Sequence, residues 1–309
     1  MRTSHSLRQV VEISLFCIVS LSVFNEASVL FAMTGSQSSG AQDNGSSSSN
    51  QNYLPQTQSQ QVPTLLDLSG EDRNSQLEIQ TEFVKADFQG NIPGLVSGTG
   101  DSGTHIINLV ASWQGKPKID VFIYADKSLA GRSDIINYVR NMLAPLHAGS
   151  AQLSVSNEND FASWNQLLAD MPGVSPVTLE PRLVDSTSGS GQSQSGIMIY
   201  LTSEPRQSYL AFTQVAFDQN RNIHWAKIKV LDTVSVYSQG ILGDVINHEI
   251  GHALGLGHST DQTSIMFPTL VMVNQGRSIQ VVNHIGPCER YGLLALSSDP
   301  ETTEAACES

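Results

Sequence analysis

From about residue 104 onward, apolar and polar positions fall into short blocks of recognisable period. Residues 105–112 are apolar enough for a strand, and residues 118–124 alternate and then become continuously apolar, as a strand entering a sheet does. Ser133 is a candidate helix cap. After it, Ile135, Ile136, Val139, Met142 and Leu143 recur on one side of a helix. Residues 152–156 read as a short alternating strand, 161–171 as a helix and 172–196 as a long, mostly polar loop. Residues 197–201 have the composition of a buried strand. Segments 210–217 and 223–231 predict two strands joined by the turn-formers Asp218-Gln219-Asn220-Arg221-Asn222. A helix follows over 239–254. A last helix is expected over 288–296, with Tyr291, Leu294 and Ala295 available to pack.

The first hundred residues read differently. Residues 13–24 are mostly apolar after Arg2 and Arg8, and apolar residues return over 27–33, the pattern of an export signal. The stretch approaches the roughly 20 residues that span a bilayer, so a membrane anchor is the alternative to cleavage. Residues 34–61 are mostly Ser, Gln, Gly and Asn, with too little apolar surface to fold, and read as a linker. Asn44-Gly45-Ser46 fits a glycosylation acceptor. Within 62–103, residues 77–80 and 83–86 hint at short strands before a glycine-punctuated loop, as in an N-terminal extension or pro-segment. The layout is therefore 1–33 signal or anchor, 34–61 linker, 62–103 extension, 104–300 main folded domain and 301–309 tail.

Composition narrows the function. The net charge of −13 over 309 residues argues against a nucleic-acid partner, which needs a basic face. The chain has three cysteines and no CxxC pair, so neither a thiolate zinc site nor a redox motif is indicated. Cys17 would leave with a cleaved signal. The remaining Cys288 and Cys307 predict a disulfide tying the tail to the last helix in an oxidising compartment, with two free thiols as the alternative.

The strongest chemical signal is His248-Glu249-Ile250-Gly251-His252-Ala253-Leu254-Gly255-Leu256-Gly257-His258. Four residues apart on a helix, His248 and His252 stand on one face and can share a metal ion. Glu249 lies one step round, where a general base for a water on the metal belongs. Gly255 suits the positive φ that ends a helix, and Gly257 gives room to bring His258 up as third ligand. Three ligands leave one position open, as in a catalytic rather than a structural zinc site.

Met266 follows eight residues after His258, then Phe267 and Pro268. This stretch resembles the metzincin zinc peptidases, in which such a Met lies in a turn beneath the metal. Ser259 and the Met266-Phe267-Pro268 ending resemble the matrixins among them. The resemblance implies an α+β fold: a twisted, mostly parallel sheet with an antiparallel edge strand, a metal-bearing helix and a C-terminal helix. It implies that Leu210, Ala211 and Phe212 lie on the edge strand over the cleft, and that Pro268 and Leu270 belong to the substrate-binding wall. An extended peptide would add to that edge through main-chain hydrogen bonds. Matrixins are often kept latent by a pro-segment cysteine, and no cysteine lies between Cys17 and Cys288. Their second zinc has no clear ligand set here beyond His224, so one zinc is expected; calcium is left open. His5, His105, His147 and His284 read as ordinary solvent or core histidines.

The expected function is a zinc-dependent endopeptidase acting on extracellular proteins or peptides, secreted or membrane-anchored. Two alternatives stay open. One is a metal hydrolase working as an exopeptidase or on a non-protein substrate. The other is a non-catalytic metal-binding protein, against which the intact Glu249 argues.

Overall fold

The computed structural model describes residues 77–88, 103–144, 160–171, 173–174, 176, 178–184, 195–274 and 279–308. The export segment, the linker, residues 62–76, the glycine-punctuated stretch 89–102, the strand expected at 152–156, His5 and His147 lie outside the described residues. Among the described residues no helix is long and apolar enough to cross a membrane.

In chain order the elements begin with β1 (Glu78–Phe88), β2 (Thr104–Leu109), β3 (Lys118–Ala125), α1 (Ser133–Met142), α2 (Trp164–Ala169) and β4 (Thr178–Leu183). Next come β5 (Gly196–Leu201), β6 (Ala211–Phe217), β7 (Ile223–Val230), α3 (Thr233–Ser238) and α4 (Leu242–Ala253). The chain ends with β8 (Leu256–Ser259), β9 (Thr269–Asn274), β10 (Ile279–Val281), α5 (Pro287–Ser298) and β11 (Glu304–Glu308). One sheet runs in the order β10-β9-β1-β6-β7-β5-β3-β4, and a smaller one in the order β11-β2-β8. In the large sheet β3 is parallel to β4 and β5, β5 to β7, and β1 to β9. The pairs β6–β7, β1–β6 and β9–β10 are antiparallel. This is the mixed, mostly parallel α+β sheet that the resemblance implied.

The burial pattern explains the hydropathy. In β5, Ile197, Met198, Ile199 and Leu201 are all buried, which is why that strand reads as a continuous apolar run. In β3, Ile119, Val121 and Ile123 face the core and alternate with more exposed neighbours. In α1, Ile135 and Val139 are buried, while Ile136 and Met142 are only partly so. The N-cap of α1 is Arg132, not Ser133, and Ser133 opens the helix itself. The Arg132 guanidinium bonds Asp134 instead.

Several expectations need correction. The segment read as the loop 172–196 contains β4, in register with β3 from Lys118↔Thr178 to Ile123↔Leu183. Only Leu179 in it is fully buried, and Pro181 sits on an outer strand where a missing donor is tolerated, so the segment looks like loop. The helix expected over 239–254 is α4, which begins only at Leu242, after Gly240 with φ of 76°; α3 is a separate helix that lies ahead of the expected one. The helix expected over 161–171 shortens to α2, capped by the Ser163 hydroxyl accepting from Gln166 N–H at 3.2 Å. The strand expected over 105–112 ends at Leu109. The largest correction concerns β6, which is not an edge: β7 covers one side of it and β1 the other.

The C-terminal residues are also structured. β11 pairs with β2, and a disulfide joins Cys288 of α5 to Cys307 of β11 across a Cα–Cα distance of 5.0 Å. Arg221, in the β6–β7 turn at φ of 56°, sends its guanidinium to the carbonyls of Val110, Thr302 and Leu109 at 2.7, 2.8 and 2.7 Å. It ties the turn to β2 and to the start of the tail. Replacing Cys288 with Ser is expected to lower folding stability by about 3 kcal/mol, the loop-closure contribution for a loop of this size. Urea denaturation of C288S beside the wild type checks this, with C307S giving the same loss.

Candidate metal centre

Helix α4 runs inside the protein. Leu242, Val245, Ile246, Ile250 and Ala253 are buried, and so are His248, Glu249 and His252. A helix with so little exposed surface has no solvent to orient its histidines, so protein partners do it. The His248 Nδ1 lies 2.6 Å from the Ile265 carbonyl, and the His252 Nδ1 lies 2.8 Å from the Leu256 carbonyl. A carbonyl oxygen only accepts, so each Nδ1 carries the proton and each Nε2 is left as a bare lone pair.

Those two Nε2 atoms face each other at 3.0 Å. The third imidazole arrives through the turn after α4. Gly255 has φ of 99°, and a Cβ there would run into the Ala111 carbonyl; one at Gly257 would meet Asn108. Only glycine gives this close, left-handed passage. His258 on β8 then brings its own Nε2 into place, buried and without a hydrogen-bond partner. One nitrogen from each of the three imidazoles falls within 4.8 Å of the others. Two bare lone pairs and the unpartnered Nε2 of His258, converging in a buried space, lack any partner unless a cation sits among them. The donor set therefore fits a zinc ion.

Burial also keeps the imidazoles neutral. It pushes His248 down to about 3, with His258 adding to the shift, and pushes His252 well below the ordinary range. His258 is lowered by burial first, while the nearby Glu82 opposes the shift. The Glu82 carboxylate lies 3.7 Å from His258 Nδ1.

Glu249 is fully buried. One carboxyl oxygen accepts from the Thr213 hydroxyl of β6, and the Val84 N–H also donates to the group. The other oxygen, Oε1, is buried without a partner. Burial first, then the neighbouring Glu82, pushes this carboxyl well above the usual range. Such a group has a high affinity for a proton.

Met266 is fully buried beneath α4. A Cβ at Gly251 would collide with the Met266 sulfur and crowd Trp164, so Gly251 is what lets this turn close against the helix. The turn is pinned from α5. The buried Glu289 carboxylate accepts from the Ser264 hydroxyl and, at 2.7 Å, from Gly286 N–H. The Ser264 hydroxyl in turn accepts from Met266 N–H at 2.9 Å. Sequence reasoning missed Gly251, Thr213, Glu289 and Glu82 as parts of this centre. Of these, only Glu289 carried a local signal, three residues past Gly286 at the start of a helix.

The expected substrate residues flank β1. Leu210 and Ala211 are buried at the start of β6, and Phe212 is half-buried with its ring 5.8 Å from that of Phe83. Pro268 is half-buried just before β9, where Leu270 is buried opposite Ala86. His224 is apart from the centre, exposed and 3.1 Å from Asp218. His284 lies 3.0 Å from Asp160. Among the described residues the three imidazoles are the one such grouping of metal-binding side chains.

Residues 195–284, from β5 to just past β10, match the matrixin peptidase family. No curated protein matches the chain.

Because burial holds His248 and His252 neutral, zinc uptake displaces few protons from them. Calorimetry at pH 6.0 in buffers of different ionisation enthalpy is expected to show fewer than about one proton released by the E249Q variant, in which that carboxyl cannot titrate. Three imidazoles at the ordinary pKa of about 6.5 would release about two.

Proposed function

We propose that this matrixin-like metzincin is a zinc-dependent endopeptidase that cuts extracellular proteins or peptides at internal bonds. The observation that carries the reading is the convergence of three imidazole nitrogens, none with a protein donor or acceptor outside the trio, beside a buried carboxyl with one unpaired oxygen. A zinc ion held by His248, His252 and His258 supplies Lewis acidity toward a peptide carbonyl and acidifies water.

Glu249 is the general base in this reading. Its Oε1 is free to take a proton from water, and its raised pKa favours holding that proton until the leaving amine accepts it. Thr213 holds the other oxygen and so orients the carboxyl. Met266 and Glu289 form the floor that keeps His248 in place, since the carbonyl on its Nδ1 belongs to Ile265, between Ser264 and Met266. Strands β6 and β9 are the walls of the cleft. Backbone recognition by such walls suits an extended chain cut internally rather than a single terminal residue.

Action outside the cytoplasm is part of the proposal. The disulfide supports it, as does the apolar start of the chain, which we read as a cleaved signal with a membrane anchor as the alternative.

The test is digestion of an unstructured protein by the zinc-loaded full chain, run long enough to register slow turnover, with and without a chelator. Internal fragments that vanish with the chelator are expected; release of single residues favours an exopeptidase, and no products at all a binding protein. E249Q should bind zinc as the wild type does and lose at least about a hundredfold in rate. A normal rate in that variant removes Glu249 from the mechanism.

A further inference from the structure

The slot between β6 and β9 is filled by the chain itself. β1 pairs antiparallel with β6 through seven residues, from Glu78↔Phe217 to Val84↔Ala211. Its later residues pair parallel with β9, from Lys85↔Thr269 to Phe88↔Met272. The two strands that the peptidase reading assigns to substrate are thus the two strands β1 occupies.

β1 also crosses the chemistry. The N–H of the Phe83–Val84 peptide bond is bonded to the Glu249 carboxyl, and the Val84 carbonyl accepts from Leu210 N–H at 2.9 Å. Side chains alternate across a strand, so Glu82 and Val84 share a face. Glu82 lies beside His258, and Val84 is fully buried in the apolar core. On the opposite face the Phe83 ring packs against Tyr209 and Phe212, with centroids 4.8 and 5.8 Å apart.

The hold of β1 on the rest is narrow. Among its described side chains, Val84 alone is buried, while Glu78, Ile79 and Lys85 are exposed. β6 keeps β7 as a partner on its other side. Removing β1 therefore opens one edge of β6 without dismantling the sheet beyond it.

We infer that residues 78–88 are a built-in occupant of the peptide cleft, and that a substrate strand reaches β6 only when they leave it. The inference rests on the peptidase reading for its consequence, but the occupancy is tested without turnover. A cleft open for only a small fraction of the time lowers apparent activity by that fraction, so displacing β1 raises it.

V84D places a charge where β1 is anchored. In the full chain, hydrogen exchange is expected to speed up at the β6 amides facing β1, while those facing β7 and those of α4 keep their protection. Peptide hydrolysis should rise at least about tenfold. A peptide of residues 78–88 added to V84D should restore the protection and lower the rate. Should V84D unfold the domain, the double variant T81P/F83P breaks the strand without a buried charge. Unchanged β6 protection in V84D overturns the inference, as does a wild type that already cleaves as fast as V84D. Loss of all protection in both variants overturns it too, since β1 is then part of the fold. Selective opening of β6 with no cleavage leaves the occupancy standing and removes the peptidase reading instead.

Discussion

Three imidazole nitrogens brought together in a buried space constrain the rest of this structure. Like lone pairs do not gather in a buried space unaided. The protein makes the arrangement by giving Nδ1 of His248 and His252 to the carbonyls of Ile265 and Leu256. Each carbonyl belongs to a segment that must then be held in place. The first lies in the Met266 turn, fixed by Glu289 and admitted by Gly251. The second lies in the sharp passage after α4, which Gly255 and Gly257 allow. Burial, which would penalise charged imidazoles, costs nothing here because the metal-binding form is the neutral one.

The same buried setting ties β1 to the centre. Glu249 shares its carboxyl between Thr213 of β6 and the backbone of Val84. Glu82 then adds a second acidic group nearby, which raises Glu249 further and counters the lowering of His258. Strand β1 and the groups around the three imidazoles are one electrostatic unit.

How much was legible beforehand depended on the range of the interaction. The His248/His252 spacing, the Gly255 turn and Met266 are local or nearly so, and helix geometry connects them with no knowledge of the fold. Strands such as β5 announce themselves because both faces are buried. β4 hid because half of its side chains are polar and it carries a proline. α3 hid because its six residues are too few to show a helical period.

Residues 248–268 by themselves determined the candidate metal ligands, the adjacent carboxyl and the matrixin likeness, since spacing along one helix and one turn sets which atoms can meet. Only the tertiary structure decided what lies beside β6. Residues 78–88 and 211–217 are separated by more than a hundred positions, and a β-ladder is made of backbone groups that every sequence carries. Nothing in the side chains of β6 could say whether its outer edge would face water, a substrate or its own N-terminal segment.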